Sequence, residues 1–376
     1  MSQGVIPTLT ESPTPWGSRL SILSPKKFSA LYLWALFMIL FGFLQFHLFL
    51  TANTAQLVFS QGAVTAVLAI SALVPLTTET YDLAVGETMS LAVVCMAWLS
   101  MHTRLPILVI ALAVVLGGCV TGFVSGAIVV RLRVNSLIAT LGMLEVLSAA
   151  QLYVANNQQV VGRFPAGFTT FGNGAMFGIP YLDIVLVVLA VVVWFVLEQT
   201  PIGREMFAIG GNREAARLTG IRTDRIVWGS LVTSGGIAAF AGVMYAAQVG
   251  AYTSDIGQGY LFPALAAVFF GAAQLSGRPN VWGTLIAYFA LAFGIHGVSL
   301  AAGAGAFWVS PLFQGVALIL AVALSASQGG IGRRRDGSIR RLRWRKPGGP
   351  GAGLNDGREV KPAPGGNGRK DTIAQV

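Results

Sequence analysis

Charge is the scarcest property of this sequence. Only 11% of its 376 residues are Asp, Glu, Lys or Arg, against 54% that are hydrophobic, and mean hydropathy is +0.69. A soluble domain carries about 25% charged residues because water must wet its surface. This chain cannot cover such a surface, so most of its exterior faces lipid. Cysteine is nearly as scarce. Cys95 and Cys119 both lie inside apolar runs, where a free thiol acts as a small hydrophobe, which leaves no disulfide framework and no metal site. His47, His102 and His296 match no metal spacing. The sequence also lacks a Gly-x-x-x-x-Gly-Lys-Ser/Thr phosphate loop, a Gly-x-Ser-x-Gly elbow, a His-Glu-x-x-His pair and a Cys-x-x-Cys pair. ATP hydrolysis by the phosphate-loop route is excluded, and the chain is a poor candidate for an enzyme.

What the sequence has instead is a succession of long apolar runs. A spanning helix needs about 20 mainly apolar residues, because backbone amides in hydrocarbon must be satisfied within the segment. Runs of that kind cover 29–50, 55–76, 84–102, 105–130, 136–155, 181–198, 226–248, 260–276, 281–300 and 307–326. The first is longer than a signal-peptide core of about 7–15 residues and is taken as a retained span. The expected fold is all-α, a polytopic transmembrane bundle of about ten spans. Residues 1–28 form a cytoplasmic N-terminal segment, 29–326 the membrane domain and 327–376 a basic tail.

Positive charge tests the count. With the N-terminus inside, Arg19, Lys26, Lys27, Arg131, Arg133, the 199–225 loop, Arg278 and the tail are cytoplasmic, and only Arg104 and Arg163 fall outside. Positive residues are retained on the cytoplasmic face, so an even number of spans with both termini inside is expected. The formal charge of +10 is no nucleic-acid signal: residues 333–376 alone hold twelve Lys/Arg and four Asp/Glu. A basic cluster directly after a last apolar run marks the cytoplasmic side and suits anionic lipid head groups. Beyond it, Pro347–Gly351 and Pro364–Gly366 point to disorder.

Small residues indicate close packing. Gly117, Gly118, Gly122 and Gly126 in the fourth run, and Gly235, Gly236 and Gly242 in the seventh, let helix backbones approach. Pro75 ends the second run and Pro263 sits early in the eighth. Each marks either a packing kink or an interruption lining a cavity.

Ionisable residues within the runs are few. Glu145 sits mid-way along the fifth, where a charge costs about 2.5–3.5 kcal/mol, so it should face the bundle interior or water, as part of a pathway or bonded to polar partners. Glu79, Asp82 and Glu87 flank the start of the third. Asp82 is positioned to cap that helix, a role preferred here to proton relay. Asp183 and Glu198 lie at the ends of the sixth run, where charge is inexpensive.

The loop between the sixth and seventh runs is organised. Asn212 is placed as an N-cap, Glu214 stands in a first turn and Gly220 follows as a C′ residue. Glu214 and Arg217 are three apart and suited to pairing, while Ala215, Ala216 and Leu218 leave a small, smooth surface. A helix this short is marginal alone and must be held by tertiary contacts. Its small-residue face suits rigid docking onto a partner.

At these residues the chain resembles the ribose/xylose/galactose-type permease family of ABC importers. The resemblance rests on Gly203-Arg204, Ala208-Ile209-Gly210-Gly211-Asn212, Glu214-Ala215-Ala216-Arg217-Leu218 and Gly220-Ile221. Asp82–Gly86, Ser136–Met143 and Gly283–Ile286 support it, so that it spans about residues 50–326. The sequence departs from the family at Ala84, at Glu79-Thr80-Tyr81, at Ser276–Asn280 and in its tail. The resemblance implies a coupling helix seated in a groove of an ATPase subunit with two nucleotide-binding domains, which binds the ATP and Mg. It also implies a second permease copy (identical or paralogous), an extracytoplasmic sugar-binding protein, and a pentose, hexose or related polyol as cargo. The expected site is therefore Gly203, Arg204, Ala208, Gly210, Gly211, Asn212, Glu214, Ala215, Ala216, Arg217 and Gly220 for ATPase coupling. Asp82, Glu87 and Glu145 are the candidates for pathway or gating. An ion-coupled secondary carrier using those carboxylates is the alternative. Either way the chain belongs in the cell membrane, with no cofactor of its own and no nucleic-acid partner.

Overall fold

The computed structural model describes residues 29–254, 256–273, 278–303 and 308–333. Residues 1–28 and the tail from 334 onward, with the expectations placed on them, lie outside the described residues. Helices coincide with all ten apolar runs: α1 Ser29–Leu44 with the short α2 Phe46–Phe49, then α3 Ala52–Leu76, α4 Val85–His102, α5 Ile107–Arg131 and α6 Ser136–Ala155. After α7 Ala166–Asn173 come α8 Tyr181–Gln199, α9 Pro201–Gly211, α10 Arg213–Leu218, α11 Thr223–Val249, α12 Ile256–Ala272, α13 Val281–Ala302 and α14 Val309–Arg333. Among the described residues, seven of these helices are long and apolar enough to cross a membrane. Leu31–Leu44, Ile256–Ala272 and Val309–Leu320 are shorter apolar helices. The last helix continues to Arg333, past residue 326 where the membrane domain was expected to end.

Caps set the helix boundaries. The Thr51 hydroxyl accepts from the amide of Thr54 at the start of α3, and Asn135 accepts from Leu137 at the start of α6. Asn156 at φ 51° ends α6, and Gly250 at φ 75° ends α11. The left-handed turn needed there suits those two residue types. Two short antiparallel ladders, β1 Val160–Val161 with β4 Ala251–Tyr252 and β2 Ala175–Met176 with β3 Ile179–Pro180, close the end of the bundle opposite α9 and α10.

The core is centred on α3, which is buried almost continuously from Gly62 to Pro75. By contrast α5 is peripheral: Leu108, Leu112, Leu116 and Val120 point outward, as they can where the solvent is hydrocarbon. The expected glycine packing is specific. A side chain at Gly118 would meet Gly235 and Ala239, and one at Gly122 would meet Leu231, so the glycines of α5 and α11 interlock backbone to backbone. Gly117 takes no part, having nothing near it, and Gly242 serves a different neighbour, the Met89 carbonyl of α4. Trp228 seals the same seam by donating its indole N–H to the Phe123 carbonyl at 3.0 Å.

Between α3 and α4 the chain does not run along a membrane face. Residues 80–83 are non-helical and lead into the bundle. The Tyr81 amide donates to the Ser136 hydroxyl at the first residue of α6, Asp82 meets Ser234 midway along α11, and Gly86 abuts Gly257 in the first turn of α12. Non-helical backbone at such depth is tolerated only inside protein, and Thr80, Asp82 and Ala84 are all buried.

Candidate functional site

The segment 199–225 is two capped helices, not one. Thr200 and Pro201 begin α9: the Thr200 side chain accepts from the Gly203 amide, and Pro201 fills a first-turn position whose N–H needs no partner. Asn212 ends α9 and starts α10, its side chain accepting from the Ala215 amide at 3.0 Å. At the other end the amide of Gly220 bonds Arg217 and that of Ile221 bonds Ala216, with Gly220 at φ 89°. That is a Schellman stop, which only glycine adopts without strain. The Asn212 and Gly220 assignments hold. The first helix was missed, although Thr200-Pro201 announces it.

The buried side anchors the pair. Gly203 lies against the Leu197 backbone and Gly210 against the Thr77 carbonyl, while Met206 and Ile209 enter the core. Ala216 is buried beside Val129, Ala139, Val227 and Leu231. The smooth face expected from Ala215, Ala216 and Leu218 is therefore divided: Ala216 points inward, and Leu218 is 82% exposed. Arg204, Ala208, Gly211, Asn212, Arg213, Glu214, Ala215 and Arg217 form the exposed side.

The expected Glu214–Arg217 pair is not made. Arg213 instead bonds Asp224 at 3.1 Å, joining α10 to the first turn of α11. An exposed pair three residues apart is worth about 0.2–0.5 kcal/mol, too little to order two long side chains. Glu214 and Arg217 line an open groove with Glu79, Arg133, Asn135 and Ser136. Beside it, Arg278 holds both oxygens of Glu198 at 2.9 and 3.1 Å and lies over the Phe207 ring at 4.8 Å. The turn before α13 is thereby tied to both α8 and α9.

The three carboxylates are not brought together: Asp82 faces α11, Glu87 faces α6 and Glu145 is exposed on α6. Asp82 is not the N-cap of α4; Ala84 is. Its carboxylate accepts from the Ala84 amide at 3.1 Å and from the Ser234 hydroxyl at 2.8 Å, tying the non-helical segment to α11. Glu87 is 1% exposed and accepts from the Gln151 amide of α6. Glu145 does not enter the interior of this chain: it is exposed on α6, near Leu141 and Val146, because Met143, Leu144 and Leu147 claim the inward face. Asp183, expected at an inexpensive helix end, is buried.

A cavity of about 380 Å³ opens instead between α3, α12, α13 and α14, in the half of the bundle away from α9 and α10. Its polar lining includes Gln61, Thr65, Tyr260, Tyr288, His296 and Gln314. None is an Asp, Glu, Lys or Arg, so no charged residue in the sequence marks the cavity. Pro263, which also lines it, was the available signal.

Residues 55–322 match the family described as branched-chain amino acid transport system / permease component. The chain is 32% identical over 244 residues to the autoinducer 2 import system permease protein LsrC of Salmonella paratyphi B, covering 64% of this chain and 70% of that one. It is 30% identical over 278 residues to the ribose import permease protein RbsC of Escherichia coli K12, covering 73% of this chain and 86% of that one. No solved structure matches the chain.

Proposed function

We infer the function of this chain from its membership: it belongs to the branched-chain amino acid transport system / permease component family, and it is an ABC-transporter permease. It is a multi-pass protein of the inner membrane, and its relatives are permease subunits rather than enzymes. The resemblance drawn from Gly203–Ile221 is thus borne out.

The proposed activity is import of a pentose, hexose or related small polar solute, powered by a separate ATPase with two nucleotide-binding domains that hold ATP and Mg. A second permease copy and an extracytoplasmic sugar-binding protein complete the assembly. The single observation that supports this reading most is the two-sided construction of α9 and α10. One side is packed on Leu197, Thr77 and Val227, and the other presents Arg204, Ala208, Glu214, Ala215 and Arg217 outward. A pair of helices built in this way transmits a push from a partner to α3, α8 and α11 as rigid-body motion. Import of ribose and of autoinducer 2 by the two relatives supports a sugar-like cargo. The ion-carrier alternative finds less support, since Asp82 and Glu87 are hydrogen-bonded within the core and Glu145 faces outward.

Reversing both charges, Glu214→Lys with Arg217→Glu, should abolish substrate stimulation of ATP hydrolysis and uptake while the protein still reaches the membrane. Normal uptake in that variant sinks the reading.

A further inference from the structure

The cavity between α3, α12, α13 and α14 has a chemistry of its own. Its volume of about 380 Å³ lies at the small end of the range of about 300–1,000 Å³ typical of ligand pockets. Two amides (Gln61, Gln314), five hydroxyls (among them Thr65, Tyr260 and Tyr288) and one imidazole (His296) line it from four helices. No Asp, Glu, Lys or Arg lines it. Such groups both donate and accept, which matches a ligand whose every polar group is a hydroxyl and does not match a carboxylate or ammonium.

The backbone is adapted to the same end. Pro263 has no N–H to return to the carbonyl of Gly259, four residues earlier, and Gly259 and Pro263 both line the cavity. An interrupted helix beside a cavity is how membrane transporters present backbone acceptors to a solute. Gly62 lets the Tyr288 ring lie across α3: a β-carbon there would stand 3.0 Å from the ring and 3.3 Å from its hydroxyl. Tyr260 is set edge-on against Tyr245, with ring centroids 5.5 Å apart. The aromatic walls are therefore held by packing before any ligand arrives.

We propose that this cavity is a binding site for one neutral polyhydroxylated solute, of pentose or hexose size, on its way through the subunit. The proposal rests on the transport reading above and adds the place where cargo is held. Binding is transient by design, since conduction needs a site that can also release.

Thiol labelling tests it in the assembled transporter, with Cys95 and Cys119 replaced by Ala. Gln61→Cys and Gln314→Cys report on the cavity, Ser299→Cys on the same wall replaces either if it fails to insert, and Phe177→Cys on an exposed turn is the control. Ribose at about twice its Kd should slow labelling of the cavity positions by about threefold, following 1 + [L]/Kd, and leave position 177 unchanged. Glucose is the second probe and leucine the counter-probe. Unchanged labelling with both sugars, or protection by leucine instead, overturns the proposal. Protection with normal uptake in the Glu214/Arg217 double variant keeps the site and discards the ATPase reading. ATP-driven ribose uptake without protection discards the site alone.

Discussion

A side chain at Gly210 would collide with the carbonyl oxygen of Thr77, so α9 rests its backbone directly on the end of the central helix α3. The next residue, Gly211, has nothing near it. Two adjacent glycines of one motif thus do different work: Gly210 sets the contact through which motion reaches the core, and Gly211 belongs to the exposed side.

That difference is measurable. Gly210→Val should cost about 1–3 kcal/mol by forcing α9 off Thr77, and should weaken ATP-dependent uptake more than it weakens expression. Gly211→Ala should keep stability within about 0.5 kcal/mol, as an exposed change does. Thermal melts of the purified permease and transport assays separate the two.

The α5–α11 seam gives a second contrast. Gly122→Leu drives a side chain into the backbone at Leu231 and should prevent recovery of folded protein, whereas Gly117→Leu points into open space and should be recovered normally. Size-exclusion profiles of the two variants check this directly.

Asp82 has a structural task that its shape alone nearly satisfies. Asp82→Ala leaves the Ala84 amide and the Ser234 hydroxyl without their acceptor, at a cost of about 1–3 kcal/mol for each buried unpaired group. Asp82→Asn keeps an acceptor oxygen and should lower the melting temperature much less. Equal losses in both variants would mean that the charge, not the geometry, is what the site needs.

Glu145 is expected to be dispensable for transport. Because it faces outward from the chain, Glu145→Gln should leave uptake unchanged. Removing the charge relieves an insertion cost of about 2.5–3.5 kcal/mol, so Glu145→Leu should raise the amount inserted. Loss of uptake in Glu145→Gln with normal insertion would return it to the pathway.

Much of the site is legible in the sequence alone. Asn212, Gly220 and the organised loop between them follow from capping chemistry, which is local: an N-cap and a left-handed stop act within four residues. The apolar runs gave the helix positions for the same reason, since span length and hydropathy are properties of a single segment. Side-chain partners were less legible. Glu214 and Arg217 have the spacing of a pair, yet Arg213 and Asp224 form it, because α11 turns back beside α10 and brings Asp224 into reach. Ala216 and Ala215 look alike in sequence and are separated only by the rotation of their helix against Val129 and Val227.

The sequence by itself determined that this protein lives in a bilayer, where its helices lie, and that the segment from Gly203 to Ile221 is a built surface. Hydropathy and caps depend on neighbours along the chain. The tertiary structure alone decided which way each helix faces. Helix rotation is set by the other helices: it turned Glu145 outward, locked Asp82 onto Ser234, and gathered Gln61, Tyr260, Tyr288 and Gln314 around one cavity. In hydrocarbon, where both faces of a helix are apolar, no amphipathic pattern records that rotation. Only packing does.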